Sequence, residues 1–115
     1  MTTKFPTVKF LRDQLKNRTL TCKDLTNSIY ERIQQEDGAI NAFVTMCKDL
    51  ALSQADKIDK EFDKGNESNP LAGIPIALKD NLNINNYPTT CASKILDGYI
   101  SPYDSTAVKR VMEHG

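Results

Sequence analysis

Five apolar residues in a row, Ile74-Pro75-Ile76-Ala77-Leu78, run directly into a charged pair, Lys79-Asp80. A compact apolar run of this kind is best read as a buried strand. Side chains alternate across a strand, so Ile74, Ile76 and Leu78 should share one face, and Pro75, Ala77 and Lys79 the other. Pro75 has no amide to donate to a ladder, which places it at the strand start or at an edge. A strand needs a partner. Residues 40–46, with Phe43, Val44 and Thr45, are the second strand candidate and the expected neighbour.

The rest of the chain is patterned for helices. Val8, Leu11 and Leu15 recur at helical spacing behind Pro6, and predict a helix over residues 7–16. Thr21 with Asp24 resembles a capping box with a shorter acid, and Leu25, Ile29 and Ile33 form the stripe of a second helix over residues 23–36. Asp37-Gly38 should stop it, because glycine readily takes the left-handed conformation past a helix end. Ala51, Ala55, Ile58 and Phe62 mark a third helix, with Lys57, Asp59, Lys60 and Asp63 pointing elsewhere. Residues 65–70 read as a polar surface loop, and Asn85-Asn86 as a turn. Asp104 or Ser105 would cap a last helix buried through Val108, Val111 and Met112, with Gly115 as its stop.

Bulk properties exclude several classes of function. The chain has 115 residues, room for one domain. Lys plus Arg equals Asp plus Glu at 15 each, so the basic stripe of a nucleic-acid binder is missing. Cys22, Cys47 and Cys91 form no Cys-x-x-Cys pair, and His114 is the one histidine, which argues against a zinc site and against a disulfide framework. That cysteine usage points to a reducing cytosol. Residues 1–10 lack the apolar core of a signal peptide, and no stretch approaches the roughly 18 apolar residues of a membrane span.

Lys79 is the residue that spacing singles out. It stands at the C-terminal end of the predicted strand, where ligands bind in open α/β sheets. Beside the small residues Pro75 and Ala77 it could be partly desolvated. The alternative is a solvated lysine paired with Asp80. Ser93, Ser101 and Ser105 read as turn and cap residues. Cys91, between Thr90 and Ala92, reads as a small structural residue, and the charged run over residues 57–64 as a solvated helix face.

The stretch Leu71-Ala72-Gly73-Ile74-Pro75-Ile76-Ala77-Leu78-Lys79-Asp80-Asn81 is similar to the start of the amidase-signature core. Within that family, Thr89-Thr90-Cys91-Ala92-Ser93-Lys94-Ile95-Leu96 and Pro102-Tyr103-Asp104-Ser105-Thr106 look most like the A subunits of glutamyl-tRNA(Gln)/aspartyl-tRNA(Asn) amidotransferases. The resemblance implies an α/β fold, the N-terminal part of an α/β/α sandwich with a mixed sheet. Residues 1–66 would be a mainly helical lead-in and residues 67–115 the start of the core, helix-rich with two or three short strands. Asn86 stands where relatives commonly carry glycine; Asn tolerates the left-handed conformation well.

The resemblance also implies a mechanism. Lys79 matches the lysine of a Ser–cis-Ser–Lys triad, and it would act as a base in its neutral form. Both serines lie in a Gly/Ser-rich segment of the family that these residues do not include; there are five glycines here and no Gly-Gly pair. Neither Ser93 nor Ser105 matches that motif. The chain is therefore expected to be a piece of the enzyme, inactive and marginally stable alone, with exposed apolar surface. In the whole enzyme, the A subunits hydrolyse glutamine, and ammonia passes to the B subunits. Those hold the tRNA, ATP and magnesium, and the C subunits brace the pair. No cofactor or metal is expected in this chain, and its place is the cytoplasm, or an organelle in a eukaryote. A general small-amide amidase and a non-catalytic binding module are the other two readings.

Overall fold

A computed structural model describes residues 5–67 and 69–115. The first four residues of the N-terminal reading, and one position of the 65–70 loop, lie outside the described residues. The described residues form four α-helices: α1 (Val8–Lys16), α2 (Cys22–Glu36), α3 (Lys48–Asp63) and α4 (Thr106–Glu113). Short 3-10 turns follow α2 at Asp37–Ala39 and precede α4 at Lys94–Leu96. No helix among the described residues is long and apolar enough to cross a membrane.

The helix starts follow from their caps. The Thr7 hydroxyl accepts the Phe10 amide at 3.1 Å, and the Thr21 hydroxyl accepts the Asp24 amide at 3.0 Å. Of the two candidates for α4, Ser105 is the cap, its hydroxyl accepting the Val108 amide at 3.3 Å. Asp104 instead accepts the Asn85 amide at 2.7 Å and ties the 83–89 segment to the start of α4. Asn86 does turn left-handed, at φ 65°.

The end of α2 differs from expectation. Gly38 is not left-handed; Asn41 is, at φ 56°. Asp37 is the reason. Its carbonyl accepts the amides of Ile40 (3.0 Å) and Asn41 (2.6 Å), while its carboxylate accepts those of Ala42 (2.7 Å) and Phe43 (3.3 Å). The helix therefore unwinds through one acidic residue.

Those bonds also explain the missing strand over residues 40–46. Its first amides are taken by Asp37, and Ile40 and Val44 stand exposed. Residues 74–78 do not form a ladder either. Ile74 and Leu78 are half-buried, but Ile76 of the same predicted face is exposed. Two short segments of this kind are at best marginal as a pair, and no third strand is present among the described residues to hold them. The α/β expectation of two or three strands is thus reduced here to one isolated antiparallel bridge, Pro88 with Ile100. The described part is helix-rich.

The core gathers Leu15, Cys22, Leu25, Ala55, Phe62 and Ala72, with Leu11, Leu20, Ile29, Ile58 and Ile74 packed around it. It sits where α1, α2 and α3 meet the turn at residues 70–73. Gly73 makes that approach possible. It is left-handed at φ 81°, and a Cβ there would lie 2.5 Å from the Cys22 sulfur. Arg12 locks the same turn from α1, its guanidinium donating to the carbonyls of Ala72 (2.8 Å) and Asn69 (2.9 Å). The guanidinium groups of Arg12 and Arg18 both approach the Phe62 ring, at 5.3 and 5.0 Å from its centroid.

Candidate functional site

An open apolar groove of about 870 Å³ runs between α2, α3, the 42–47 segment, the 71–79 segment and α4. Ile33, Phe43, Leu50, Ile76 and Val111 contribute apolar surface, and Lys79 and Asp80 stand at its edge. The predicted stripes of α2 and α4 thus face a groove as well as a core. Val108 of α4 is fully buried, while Val111 remains exposed. Two of the groups that line the groove favour their neutral forms. Burial, first of all, pushes the Tyr30 hydroxyl up from its ordinary range, and burial does the same to the Cys47 thiol.

Lys79 is exposed, and no ion pair reaches it among the described residues. The expected partner, Asp80, turns elsewhere. Its carboxylate accepts the Thr90 amide at 3.0 Å through one oxygen and the Thr90 hydroxyl through the other. The Asp80 carbonyl accepts the Cys91 amide at 2.9 Å. On the other side, the Lys79 carbonyl accepts the Leu82 amide at 3.1 Å. The chain is therefore held at two points just after the lysine's Cα, while no counter-ion meets its amine among the described residues.

The loop that grips Asp80 is conformationally unusual. Cys91 and Ala92 are both left-handed, at φ 51° and 56°. Non-glycine residues adopt this region only where the surroundings impose it. Cys91, read from sequence as a small structural residue, is an exposed residue of this turn. The serines behave as read from sequence. Ser105 caps α4, and Ser101 is fully buried with its hydroxyl donating to the Tyr103 carbonyl at 2.7 Å. Ser93 precedes the 3-10 turn with no capping bond from its side chain. His114 is exposed, with Nδ1 2.7 Å from the Arg110 carbonyl oxygen. No cluster of metal-binding side chains occurs among the described residues.

The pairing of Asp80 with Thr90 has no clear signature in the sequence. Adjacency offers Asp80 only as a partner for Lys79, and the two contacts with Thr90 span ten positions of irregular chain. The available signal is a pair of threonines next to small residues after an Asn-rich turn, which specifies a turn but not its target.

A sequence model described as Amidase matches residues 24–115. Over 106 residues, or 91% of this chain, the sequence is 46% identical to the glutamyl-tRNA(Gln) amidotransferase A subunit of Chlamydia trachomatis serovar L2. Over 108 residues, or 94% of the chain, it is 43% identical to the protein of the same name from a Cyanothece species. Over 109 residues, or 95%, it is 43% identical to the protein of that name from Prochlorococcus marinus. The chain spans about a fifth of the length of these relatives, 22% in each case.

Proposed function

This chain belongs to the amidase family, and from that premise we propose that it supplies the base, Lys79, to a glutamine-hydrolysing subunit of a glutamyl-tRNA(Gln) amidotransferase. The observation that carries the reading is a 46% identity sustained over 91% of the chain to an A subunit of that name. Lys79 lies inside the matched residues and at the edge of the apolar groove.

In this reading the neutral amine of Lys79 takes a proton from a bridging serine. That serine takes one from the nucleophilic serine, which attacks the side-chain carbonyl of glutamine. Ammonia leaves, and water releases glutamate from the acyl-enzyme. Both serines belong to the part of the relatives' length that this chain does not span. A neutral lysine needs surroundings poor in water or a nearby positive charge. The amine of Lys79 is exposed, so polypeptide seated over the groove would have to provide one or the other. Ammonia then passes to the B subunit of the assembly, where tRNA, ATP and magnesium are handled, with the C subunit bracing the pair. The balanced charge of this chain, 15 basic against 15 acidic residues, supports leaving the tRNA to a partner.

The test is glutamine hydrolysis by the native gene product, purified with the subunits that accompany it, before and after Lys79→Ala. Loss of about 10³-fold or more in kcat is expected for removal of a base that also activates a nucleophile. Hydrolysis unaffected by the substitution would overturn the reading.

A further inference from the structure

The proposed role of Lys79 asks how an amine on a flexible, exposed side chain is aimed, and the structure points to Thr90. We propose that Thr90 is a positioning residue for Lys79, acting through Asp80. This inference rests on the reading of Lys79 as the base.

Four observations converge on it. Both carboxylate oxygens of Asp80 are engaged by one residue, Thr90, through its amide at 3.0 Å and its hydroxyl. The next amide, that of Cys91, binds the Asp80 carbonyl at 2.9 Å, so side chain and backbone of Asp80 are gripped together. The Thr90 hydroxyl also accepts the Ala92 amide at 3.2 Å, and its carbonyl accepts the Ser93 amide at 2.8 Å. These bonds hold the two left-handed residues, Cys91 and Ala92, in a conformation they would otherwise leave. Finally, the Lys79 carbonyl is bound by the Leu82 amide at 3.1 Å, so the chain is held at Lys79 as well as at Asp80.

The clasp has two consequences for the amine. It sets the direction in which the Lys79 side chain leaves the backbone. It also withholds from Lys79 the carboxylate next to it in sequence, which would otherwise stand as a counter-ion. A base must be placed to a fraction of an ångström, and a displacement of about 1 Å can cost about 100-fold in rate.

The experiment uses the native gene product with its accompanying subunits. It compares Thr90→Val, which removes the hydroxyl at nearly constant shape, with Thr90→Ser, which keeps it. Thr90→Val should lower kcat for glutamine hydrolysis about 10- to 100-fold while KM changes little, and Thr90→Ser should restore most of it. Added to Lys79→Ala, Thr90→Val should cost nothing further. By hydrogen exchange on the same proteins, Thr90→Val should expose the Cys91 and Leu82 amides and leave those of α2 and α3 protected. Unchanged exchange at Cys91 and Leu82 would overturn the proposal whatever the activity. So would a loss of kcat that Thr90→Ser fails to rescue, or one that persists in the Lys79→Ala background. If Lys79→Ala retains activity, the reading of Lys79 itself fails and the proposal with it. If Lys79→Ala is inactive while Thr90→Val turns over normally, only the clasp is wrong.

Discussion

Asp59, half-buried on α3, caps the first turn of α2 through Cys22 and Lys23: one carboxylate oxygen accepts the Cys22 amide at 2.8 Å and the other accepts the Lys23 amide at 3.1 Å. The first amides of a helix have no partner within it. Here those of Cys22, Lys23 and Asp24 each find a side-chain acceptor. Thr21 takes the Asp24 amide with its hydroxyl and the Leu25 amide with its carbonyl, at 3.0 Å each. The negative charge also meets the positive end of the helix dipole. One helix thus completes the other, and the pair forms the frame on which the 71–79 segment lies.

Replacing Asp59 by Ala leaves two helix amides without their acceptor and should cost about 1–2 kcal/mol. Asn can accept only one of the two bonds and should fall between. Thermal unfolding of the three proteins checks the order, with roughly 4–8 °C expected per kcal/mol in a domain near this size. Equal transitions for all three would show that solvent replaces the cap without loss.

Gly73→Ala should be the more damaging change. The left-handed φ of 81° disfavours any side chain, and the new Cβ would stand 2.5 Å from the Cys22 sulfur and 3.2 Å from a Leu15 methyl carbon. Overpacking of this kind costs about 1–3 kcal/mol before backbone strain is added. Cys22→Ala removes the sulfur but not the strain. The double variant should therefore be more stable than the sum of the two single losses allows, as denaturant titration would read directly. Simple additivity would mean that the backbone moves away from the contact.

Cys22 also gives a pH signature. Burial, and then the hydrogen bond and charge of Asp59, push its thiol from 9.0 up to about 12. The folded state therefore keeps a proton that the unfolded chain gives up first. The stability linked to this thiol is whole below about pH 9 and is lost as pH rises from there toward 12. Compared with Cys22→Ala, the parent should lose about 1 kcal/mol more between pH 7 and pH 10. Parallel stability curves would contradict the buried thiol. The same geometry predicts that iodoacetamide at pH 8 labels exposed Cys91 well before Cys22, with mass spectrometry as the readout.

Arg12 fastens the 69–72 turn with two bonds from one planar group and covers Phe62 besides. Arg12→Ala should cost about 1.5–3 kcal/mol, in the range of hydrogen bonds to a charged group. Arg12→Lys should recover little, since a single ammonium cannot span both carbonyls as the guanidinium fork does. Limited proteolysis should then cut first within residues 65–72. An unchanged cleavage pattern would assign the turn's order to Gly73 and Ala72 alone.

The helices are legible from sequence because their determinants are local. Thr7, Thr21 and Ser105 each cap within three residues, and the apolar repeats at Leu15, Leu25, Ala55, Phe62 and Val108 mark the faces that are buried. Lys79 can be singled out because a lysine directly after an apolar run is conspicuous along the chain itself. The strand expected at residues 74–78 does not form, because a ladder is a property of two segments and an apolar run describes only one.

Sequence alone therefore determined where this chain coils into helices, which faces are apolar, which family it resembles and which amine to watch. Tertiary structure alone decided that Asp59 belongs to the N-terminus of α2, that Gly73 presses on Cys22, and that Asp80 is gripped by Thr90 instead of pairing with Lys79. The difference is one of range. Caps and periodicity act over about one or two helical turns and leave a pattern in consecutive residues. A carboxylate chooses among all the amides and hydroxyls that folding brings within about 3 Å, and nothing in its immediate neighbours names the one it meets.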